Sequence, residues 1–123
     1  MRHDRMAVVD DEYVEAVLEL VEAVPPGRAV TYGAVAEVVG ARLGRGGPRQ
    51  VARVMALHGG GVPWWRVVTA TGRLPPGHEV TARQALAAEG CPVRADGRHV
   101  DLDRAAWWPD EAPGAGALSG PPG

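Results

Sequence analysis

The stretch Val62-Pro63-Trp64-Trp65-Arg66-Val67-Val68 decides how the rest of the chain can be interpreted. Two of the chain's four tryptophans stand side by side in it, directly after a proline that fixes the backbone. The β-branched pair after Arg66 predicts that the chain leaves this point as a strand. A large flat indole either packs in a core or stacks on a flat partner. The stretch therefore predicts a structural centre or an aromatic-walled pocket.

Upstream of the tryptophans, two short helices with clear end signals predict a helix-turn-helix. Thr31 is a good N-cap for a helix over residues 32–39, which Gly40 closes. Pro48 suits the first turn of a second helix over residues 48–58. Two short helices joined by a glycine-rich turn are typical of a helix-turn-helix, although they also fit an ordinary helical hairpin.

The second helix would be the recognition helix, because its N-terminal end carries exposed polar side chains. Residues 41–47 form a glycine- and arginine-rich loop whose Arg42 and Arg45 suit contacts with a DNA backbone. The polar side chains at the start of the second helix are Arg49, Gln50 and Arg53.

Apolar residues at helical spacing predict a first helix at the N-terminal end of the chain. It starts at a cap on Asp10 or Asp11 and ends before Pro25-Pro26-Gly27. Residues 28–30 then form a short link. The helix is acidic outside and apolar inside, and we interpret it as a scaffold element.

Directly downstream of the tryptophans the sequence predicts a strand and a loop. Residues 67–69 and 72–74 suggest a strand and a turn. Residues 75–78 form a loop that could wall a pocket opposite Trp64, with the His78 side chain in solvent.

The C-terminal part is predicted to complete the fold. Thr81 caps a helix that ends at Gly90, residues 93–102 form a hairpin around an Asp-Gly turn, and Trp107-Trp108-Pro109 packs onto the core. We expect three regions: an N-terminal extension over residues 1–9, one folded domain over residues 10–109, and a disordered Pro/Gly-rich tail over residues 110–123.

The charge of the chain is unevenly distributed along it. Residues 1–27 hold two arginines against seven acids, and residues 74–123 hold four arginines against seven acids. Residues 28–73 hold seven arginines against one glutamate, a net charge of +6 within a chain whose total is −2. Arginine binds phosphate in a bidentate fork and stacks on bases, so the middle segment suits a nucleic acid.

Composition narrows the remaining classes of protein. The single cysteine excludes an internal disulfide, and no apolar run is long enough to cross a membrane. The charged N-terminus is not a signal peptide. Four scattered histidines and one cysteine do not match metal-ligand spacing, and no phosphate-binding P-loop is present. We expect a cytoplasmic, nucleoid-associated monomer without metal, cofactor or membrane partner.

The stretch Pro63-Trp64-Trp65-Arg66-Val67 resembles the Pro-Cys-His-Arg-Val active-site motif of the O6-alkylguanine-DNA alkyltransferases. Tryptophan in place of the cysteine is the mark of the alkyltransferase-like proteins in that family, which typically keep the histidine. Residues 31–36, 48–55 and the C-terminal Gly-x-x-Val to Trp-x-Pro segment are also similar to family segments, so the resemblance covers about residues 14–109. It implies a mostly α fold with short β-hairpins, the winged helix-turn-helix-like C-terminal domain of the alkyltransferases.

The resemblance implies roles for particular residues. Tyr32, which Thr31 precedes, would press on the phosphate beside a flipped nucleotide, and Arg49 would be the finger that enters the base stack. Arg53, one turn further along, is its nearest rival. The pocket for the extruded alkylguanine would consist of Pro63, Trp64, Trp65, Val67 and Leu74.

Alkyl transfer needs a thiolate activated by a base. Trp64 has no nucleophilic atom, and the indole N–H of Trp65 donates but cannot accept a proton. With the nucleophile absent, the resemblance implies a non-enzymatic sensor of O6-alkylguanine in double-stranded DNA that marks lesions for nucleotide excision repair proteins. Two alternatives remain: a helix-turn-helix regulator that reads sequence without flipping bases, and an enzyme that uses Cys91 for alkyl transfer. Cys91 is otherwise a small apolar filler.

Overall fold

A computed structural model describes residues 2–109 of the chain, with side chains from residue 11 onward. The predicted tail over residues 110–123 lies outside the described residues. The first helix, α1, spans Arg2–Glu22. The prediction of a cap at Asp10 or Asp11 is wrong, because the helix continues through both residues. The apolar face of α1 is buried through Tyr13, Val17 and Val21.

A short strand, β1, spans Val30–Thr31 and is followed at once by helix α2, Tyr32–Leu43. The sequence predicted only a link before α2. Thr31 caps α2 as predicted, since its Oγ1 accepts a hydrogen bond from the Ala34 N–H at 3.0 Å. The helix runs past Gly40 and ends at Gly44, whose φ of 75° suits a left-handed C-cap. The predicted loop over residues 41–47 is therefore shorter, and Arg42 lies in the last helical turn.

Helix α3, Pro48–His58, begins at the predicted proline and buries Val51, Val54 and Met55 against the other two helices. The turn between α2 and α3 passes very close to α1. Gly46 has a φ of 89° there, and a Cβ at this position would collide with the Tyr13 ring. Glycine is therefore required for the two helices of the motif to pack on α1.

The quoted tryptophan stretch does not begin as a strand. Trp64–Arg66 forms a 3₁₀ turn, and the strand β2 is confined to Val67–Val68. Strand β2 pairs in parallel with β1, with Val30 opposite Val67 and Thr31 opposite Val68. The connection between these parallel strands contains both helices of the helix-turn-helix, so the pairing brings the start of α2 close to the tryptophans.

The C-terminal part forms the wing of the domain. Isolated antiparallel bridges join Arg73 to His99 and Val93 to Val100, and the Asp-Gly turn is present as a tight turn. Two helices complete it: α4, Glu79–Ala88, and α5, Leu102–Ala105. Helix α4 starts before the predicted cap at Thr81, and α5 replaces the end of the predicted hairpin.

The end of the described chain is fastened beside β1. The Trp107 N–H donates to the Ala29 carbonyl at 2.7 Å, and the Arg28 side chain donates to the carbonyls of Ala105 and Ala106. Trp107 packs on the core as predicted, whereas Trp108 is 50% exposed.

The described core has two clusters. One lies among α1, α2 and α3, and the other lies among β2, α4 and the wing, around Leu74, Leu86 and Val100. Trp64 packs against both clusters. The architecture is mostly helical with short β pairings, a winged helix-turn-helix-like fold. No helix in the described part of the chain is both long and apolar enough to span a membrane.

Candidate alkylguanine pocket and DNA interface

A cavity of about 470 Å³ opens where α2, α3 and the tryptophan stretch meet. Tyr32 at the start of α2, Trp64 in the 3₁₀ turn and the loop residues Pro75, Pro76 and His78 form part of its wall. The rest of the wall comes from small or flexible residues of α3 and the following turn: Ala52, Met55, Ala56, Gly59 and Gly60. Its size and largely apolar wall suit a small flat ligand.

The ring of Trp64 meets two neighbours edge-on, and no other described ring stacks on it in parallel. Its centroid lies 5.6 Å from that of Trp65 at an interplanar angle of 83°, and 5.7 Å from that of His78 at 64°. His78 is exposed, as predicted, but its contact with Trp64 was not foreseen. The loop of residues 75–78 walls the cavity through this contact.

The structure separates Trp64 from the other residues that were predicted to line the pocket. Val67 and Leu74 are fully buried and are not on the described cavity wall, since Val67 packs in the cluster among α1, α2 and α3 and Leu74 packs in the cluster with α4 and the wing. Pro63 is buried beside the cavity, and Trp65 turns away from it. Of the five residues predicted to line the pocket, Trp64 alone is on the described cavity wall.

Trp65 turns toward a polar network that sequence reasoning missed, centred on the Glu89 carboxylate just beyond α4. Glu89 accepts hydrogen bonds from the Trp65 indole N–H at 2.9 Å and from the Gly27 N–H at 3.1 Å. It also pairs with the Arg66 guanidinium at 2.6 Å, and Arg66 donates further to the Val24 carbonyl. We call these contacts the Glu89 network.

The Glu89 network is mostly hidden from solvent, with the Arg66 and Glu89 side chains 12% and 14% exposed. Burial alone would raise the pKa of Glu89. The hydrogen bonds from Arg66, Gly27 and Trp65, together with the charge of Arg66, outweigh burial and lower that pKa. The network ties the end of α1, the 3₁₀ turn and the end of α4 together.

Tyr32 lies at the first turn of α2, as predicted, and it also lines the cavity, which was not predicted. Burial raises the pKa of its hydroxyl, so the phenol stays neutral at physiological pH. A neutral phenol at the mouth of a cavity can donate a hydrogen bond to a phosphate oxygen.

The arginines of the helix-turn-helix fall into two groups. Arg49 and Arg53 are exposed on α3, as the recognition-helix prediction requires. Arg42 and Arg45 instead lie 3.8 Å from carboxylates of α1, those of Glu19 and Glu12 respectively. The acidic face of α1 thus partly offsets the charge of the loop.

Gln50 has a structural task at the start of α3. Its Oε1 accepts a hydrogen bond from the Gly47 N–H at 2.9 Å, which satisfies the backbone donor of the N-cap residue. The side chain is exposed but already engaged, so its predicted DNA contact would require it to leave the cap.

Cys91 is buried beside Pro92 in the second core cluster. Burial, with a smaller contribution from the Glu89 charge, raises the pKa of its thiol. A buried thiol with a raised pKa holds little thiolate, the form that attacks an alkyl group. Within the described residues, no group of three or more His, Cys, Asp or Glu side chains is placed to hold a metal ion.

Comparison with known proteins shows which family the chain matches and which of its residues are matched. The family model of the 6-O-methylguanine DNA methyltransferase DNA-binding domain matches residues 12–91. A protein named DNA base-flipping protein from Escherichia coli strain K12 is 36% identical over 102 residues, which cover 80% of this chain and 76% of the relative. The protein of the same name from Shigella flexneri matches equally well.

Comparison with solved structures finds proteins of similar fold. The chain is similar to S. pombe Atl1 in complex with damaged DNA containing O6-carboxymethylguanine, with a TM-score of 0.65 and 29% identity. The match covers 79% of this chain and 95% of that protein. A complex of S. pombe ATL with DNA matches with a TM-score of 0.64 and the same identity and coverage.

Proposed function

Since the chain belongs to the family of the 6-O-methylguanine DNA methyltransferase DNA-binding domain, we propose that it binds duplex DNA carrying O6-alkylguanine. In this proposal the damaged nucleotide is flipped into the cavity beside Trp64 and held there without transfer of the alkyl group. The observation that carries the proposal is the position of Trp64, whose indole forms part of the cavity wall at the place where the family motif has its cysteine.

The balance of energies favours damaged over normal guanine. Extruding a nucleotide costs a few kcal/mol and costs least where pairing is already weakened. Stacking on an aromatic side chain returns roughly 1–3 kcal/mol per base. The largely apolar wall also excludes water from the base, so a weakly paired alkylguanine gains most by entering the cavity.

The described cavity wall lacks the thiolate nucleophile that the alkyltransferases use. The cavity wall contains neither a thiol nor a carboxylate, and Cys91 is buried in the other core cluster. A lesion held in this way persists until another system removes it. We therefore include in the proposal that the complex marks the lesion for nucleotide excision repair proteins.

Arg49 and Tyr32 are the residues that we propose to drive flipping. Arg49 is exposed at the start of α3, where a planar guanidinium can fill the gap left by the extruded base and stack on its neighbours. Tyr32 stands at the cavity, where its hydroxyl can press on the adjacent phosphate. Thr31 holds the first turn of α2 in place through its cap.

The remaining arginines are proposed to hold the duplex by its backbone. Arg53 lies one turn along α3 from Arg49, and Arg42 and Arg45 flank the turn between the helices. Such phosphate contacts position the protein and do not specify a lesion. Each of the two turn arginines exchanges a carboxylate of α1 for a phosphate when DNA binds.

The deciding experiment compares matched duplexes with and without a single O6-methylguanine. We expect tighter binding to the damaged duplex, together with extrusion reported by a fluorescent base analogue beside the lesion. Arg49→Ala should remove most of the lesion preference, by roughly the few kcal/mol that extrusion costs, whereas Arg53→Ala should weaken both duplexes alike. Mass spectrometry of protein and DNA should find the methyl group still on guanine.

Three results would contradict parts of this proposal. A protein heavier by one CH₂ unit, with guanine restored, would establish alkyl transfer, and its location on Cys91 would establish the enzyme alternative. Equal affinity for both duplexes without extrusion would leave a helix-turn-helix that reads sequence. If Arg53→Ala abolished lesion preference and Arg49→Ala did not, the finger would lie one turn further along α3.

A further inference from the structure

Few residues on the described cavity wall have polar side chains, so the feature of a bound base that each one could recognise is simple to define. Among the described lining residues, Tyr32, Trp64 and His78 carry side-chain hydrogen-bonding groups, and the others are apolar or glycine. The Trp64 N–H is a neutral donor, and burial raises the pKa of Tyr32 and keeps its phenol neutral. Of these three side chains, His78 is the one that can carry a positive charge.

The backbone of His78 is fixed while its ring remains accessible. Its N–H donates to the Pro75 carbonyl at 3.1 Å, and its carbonyl accepts from the Ala82 N–H at 2.9 Å. The ring lies edge-on to Trp64 and makes no hydrogen bond to the rest of the described chain. A ring on a fixed backbone, beside the proposed stacking surface, is placed to meet a substituent of a base that enters the cavity.

The charged groups described near His78 are close to it in sequence. Glu79 follows it, and hydrogen bonds from the backbone N–H groups of Glu79 and Gly77 lower the pKa of that carboxyl, with smaller effects of Arg73 and His78. Glu79 thus contributes a negative charge near His78, and Arg73 contributes a positive charge. The residue of α2 that lines the cavity is Tyr32, which is neutral. Helix α3 contributes no charged residue to the described lining. His58 lies at the end of α3 and is exposed.

We propose that His78 reads the charge of the substituent on O6 of the flipped guanine. The imidazolium attracts an anionic substituent such as carboxymethyl, whereas the neutral imidazole treats anionic and neutral substituents alike. The preference for anionic over neutral adducts therefore strengthens as the pH falls. This inference rests on the proposed function and names the adduct class that the same cavity favours.

The test uses the full chain and two duplexes that differ only in the adduct. One carries O6-carboxymethylguanine and the other carries O6-(2-hydroxyethyl)guanine, which is neutral and of similar size. Dissociation constants are measured at constant ionic strength at about pH 5.5 and about pH 8, a range in which a carboxyl group stays ionised. The ratio of the two constants cancels the pH dependence of phosphate contacts, which both duplexes share.

For the unmodified protein we expect the preference for the carboxymethyl duplex to be about fivefold greater at the lower pH, the size of a partly solvated charge-assisted hydrogen bond. His78→Gln should make the ratio independent of pH. His78→Arg should keep the preference at both pH values, because its charge is permanent. His58→Gln is the matched control and should behave like the unmodified protein.

The outcomes separate this inference from the proposed function. If neither adduct is bound more tightly than unmodified guanine, the proposed function itself fails. If both adducts are preferred and their ratio does not change with pH, the role of His78 alone is overturned. A ratio that still changes with pH in His78→Gln would assign the effect to another group and would overturn it as well.

Discussion

Trp64 and Trp65 are neighbours in the chain but belong to different regions of the molecule. Trp64 lies on the wall of the cavity with His78 at its edge, whereas Trp65 donates its indole N–H to the Glu89 network. The two rings are nearly perpendicular, at 83°. One region offers a surface to a ligand, and the other holds three segments of the chain together.

The local backbone explains how one dipeptide serves two regions. Residues 64–66 form a 3₁₀ turn, in which successive side chains point about 120° apart because there are three residues per turn. A strand would have placed the two rings on opposite faces of a sheet. The difference teaches that a paired motif of identical residues need not be a paired site, and mutations should separate the two roles.

The largest expected effect comes from breaking the Glu89 network. Glu89→Gln removes the negative charge that pairs with a mostly buried Arg66, which should lower the free energy of unfolding by about 3 kcal/mol. Since the folded state lowers the pKa of Glu89, the stabilisation is complete above the ordinary glutamate pKa of about 4.3 and is lost as the pH falls through the lowered value. Denaturant unfolding at several pH values measures the loss of stability and its dependence on pH.

Glu79→Gln is the matched control, because Glu79 lies at the opposite end of α4, outside the Glu89 network. It should change the stability much less. A stability difference between the Glu89 variant and the unmodified protein that stays constant down to about pH 2.5 would show that the carboxylate charge is not what stabilises the network.

Trp64→Ala should have the next largest effect, measured as a loss of lesion preference by the fraction of the protein that is folded. Loss of the stacking surface should reduce the preference for an O6-methylguanine duplex by about 2 kcal/mol and leave binding to the unmodified duplex unchanged. Fluorescence anisotropy titrations with both duplexes measure this preference. Because Trp64 also packs against both core clusters, Trp64→Phe is a useful second variant that should retain part of the preference. An equal loss for both duplexes would remove Trp64 from lesion recognition.

Trp65→Phe should have the smallest effect of the three. It removes the hydrogen bond to Glu89 but keeps an aromatic ring beneath the Arg66 guanidinium, so the stability should fall by about 1 kcal/mol. The lesion preference should not change. If this variant lost lesion preference as strongly as Trp64→Ala, the division between the two regions would be wrong and both rings would serve the pocket.

Local end signals made much of the helical part predictable. Thr31 and Pro48 act within one turn of their own positions, so the starts of α2 and α3 follow from sequence. The end of α2 does not follow from sequence, because several glycines lie close together there. Backbone geometry shows that Gly44, and not Gly40, has the left-handed conformation. Strands of two residues such as β1 have no period from which they could be predicted.

The candidate site was predictable only in part. Trp64 lies on the cavity wall where it was predicted, and Tyr32 lies there although it was predicted only to contact a phosphate. Val67 and Leu74 are buried in the core, since an apolar residue near a site in sequence can equally belong to the core. Glu89 was missed for the opposite reason. A single glutamate just beyond a helix is ordinarily solvated, and its partners lie more than twenty residues away in sequence.

The parallel pairing of β1 with β2 also has a consequence for the order of folding. Tyr32 directly follows β1, and β2 directly follows the turn that carries Trp64, so the two cavity walls meet when these strands pair. That pairing closes a long connection containing α2 and α3, and the entropy of such a closure delays contacts between residues distant in sequence. We therefore expect the helices to form early as local structure and the pocket to be assembled later, when the β pair closes.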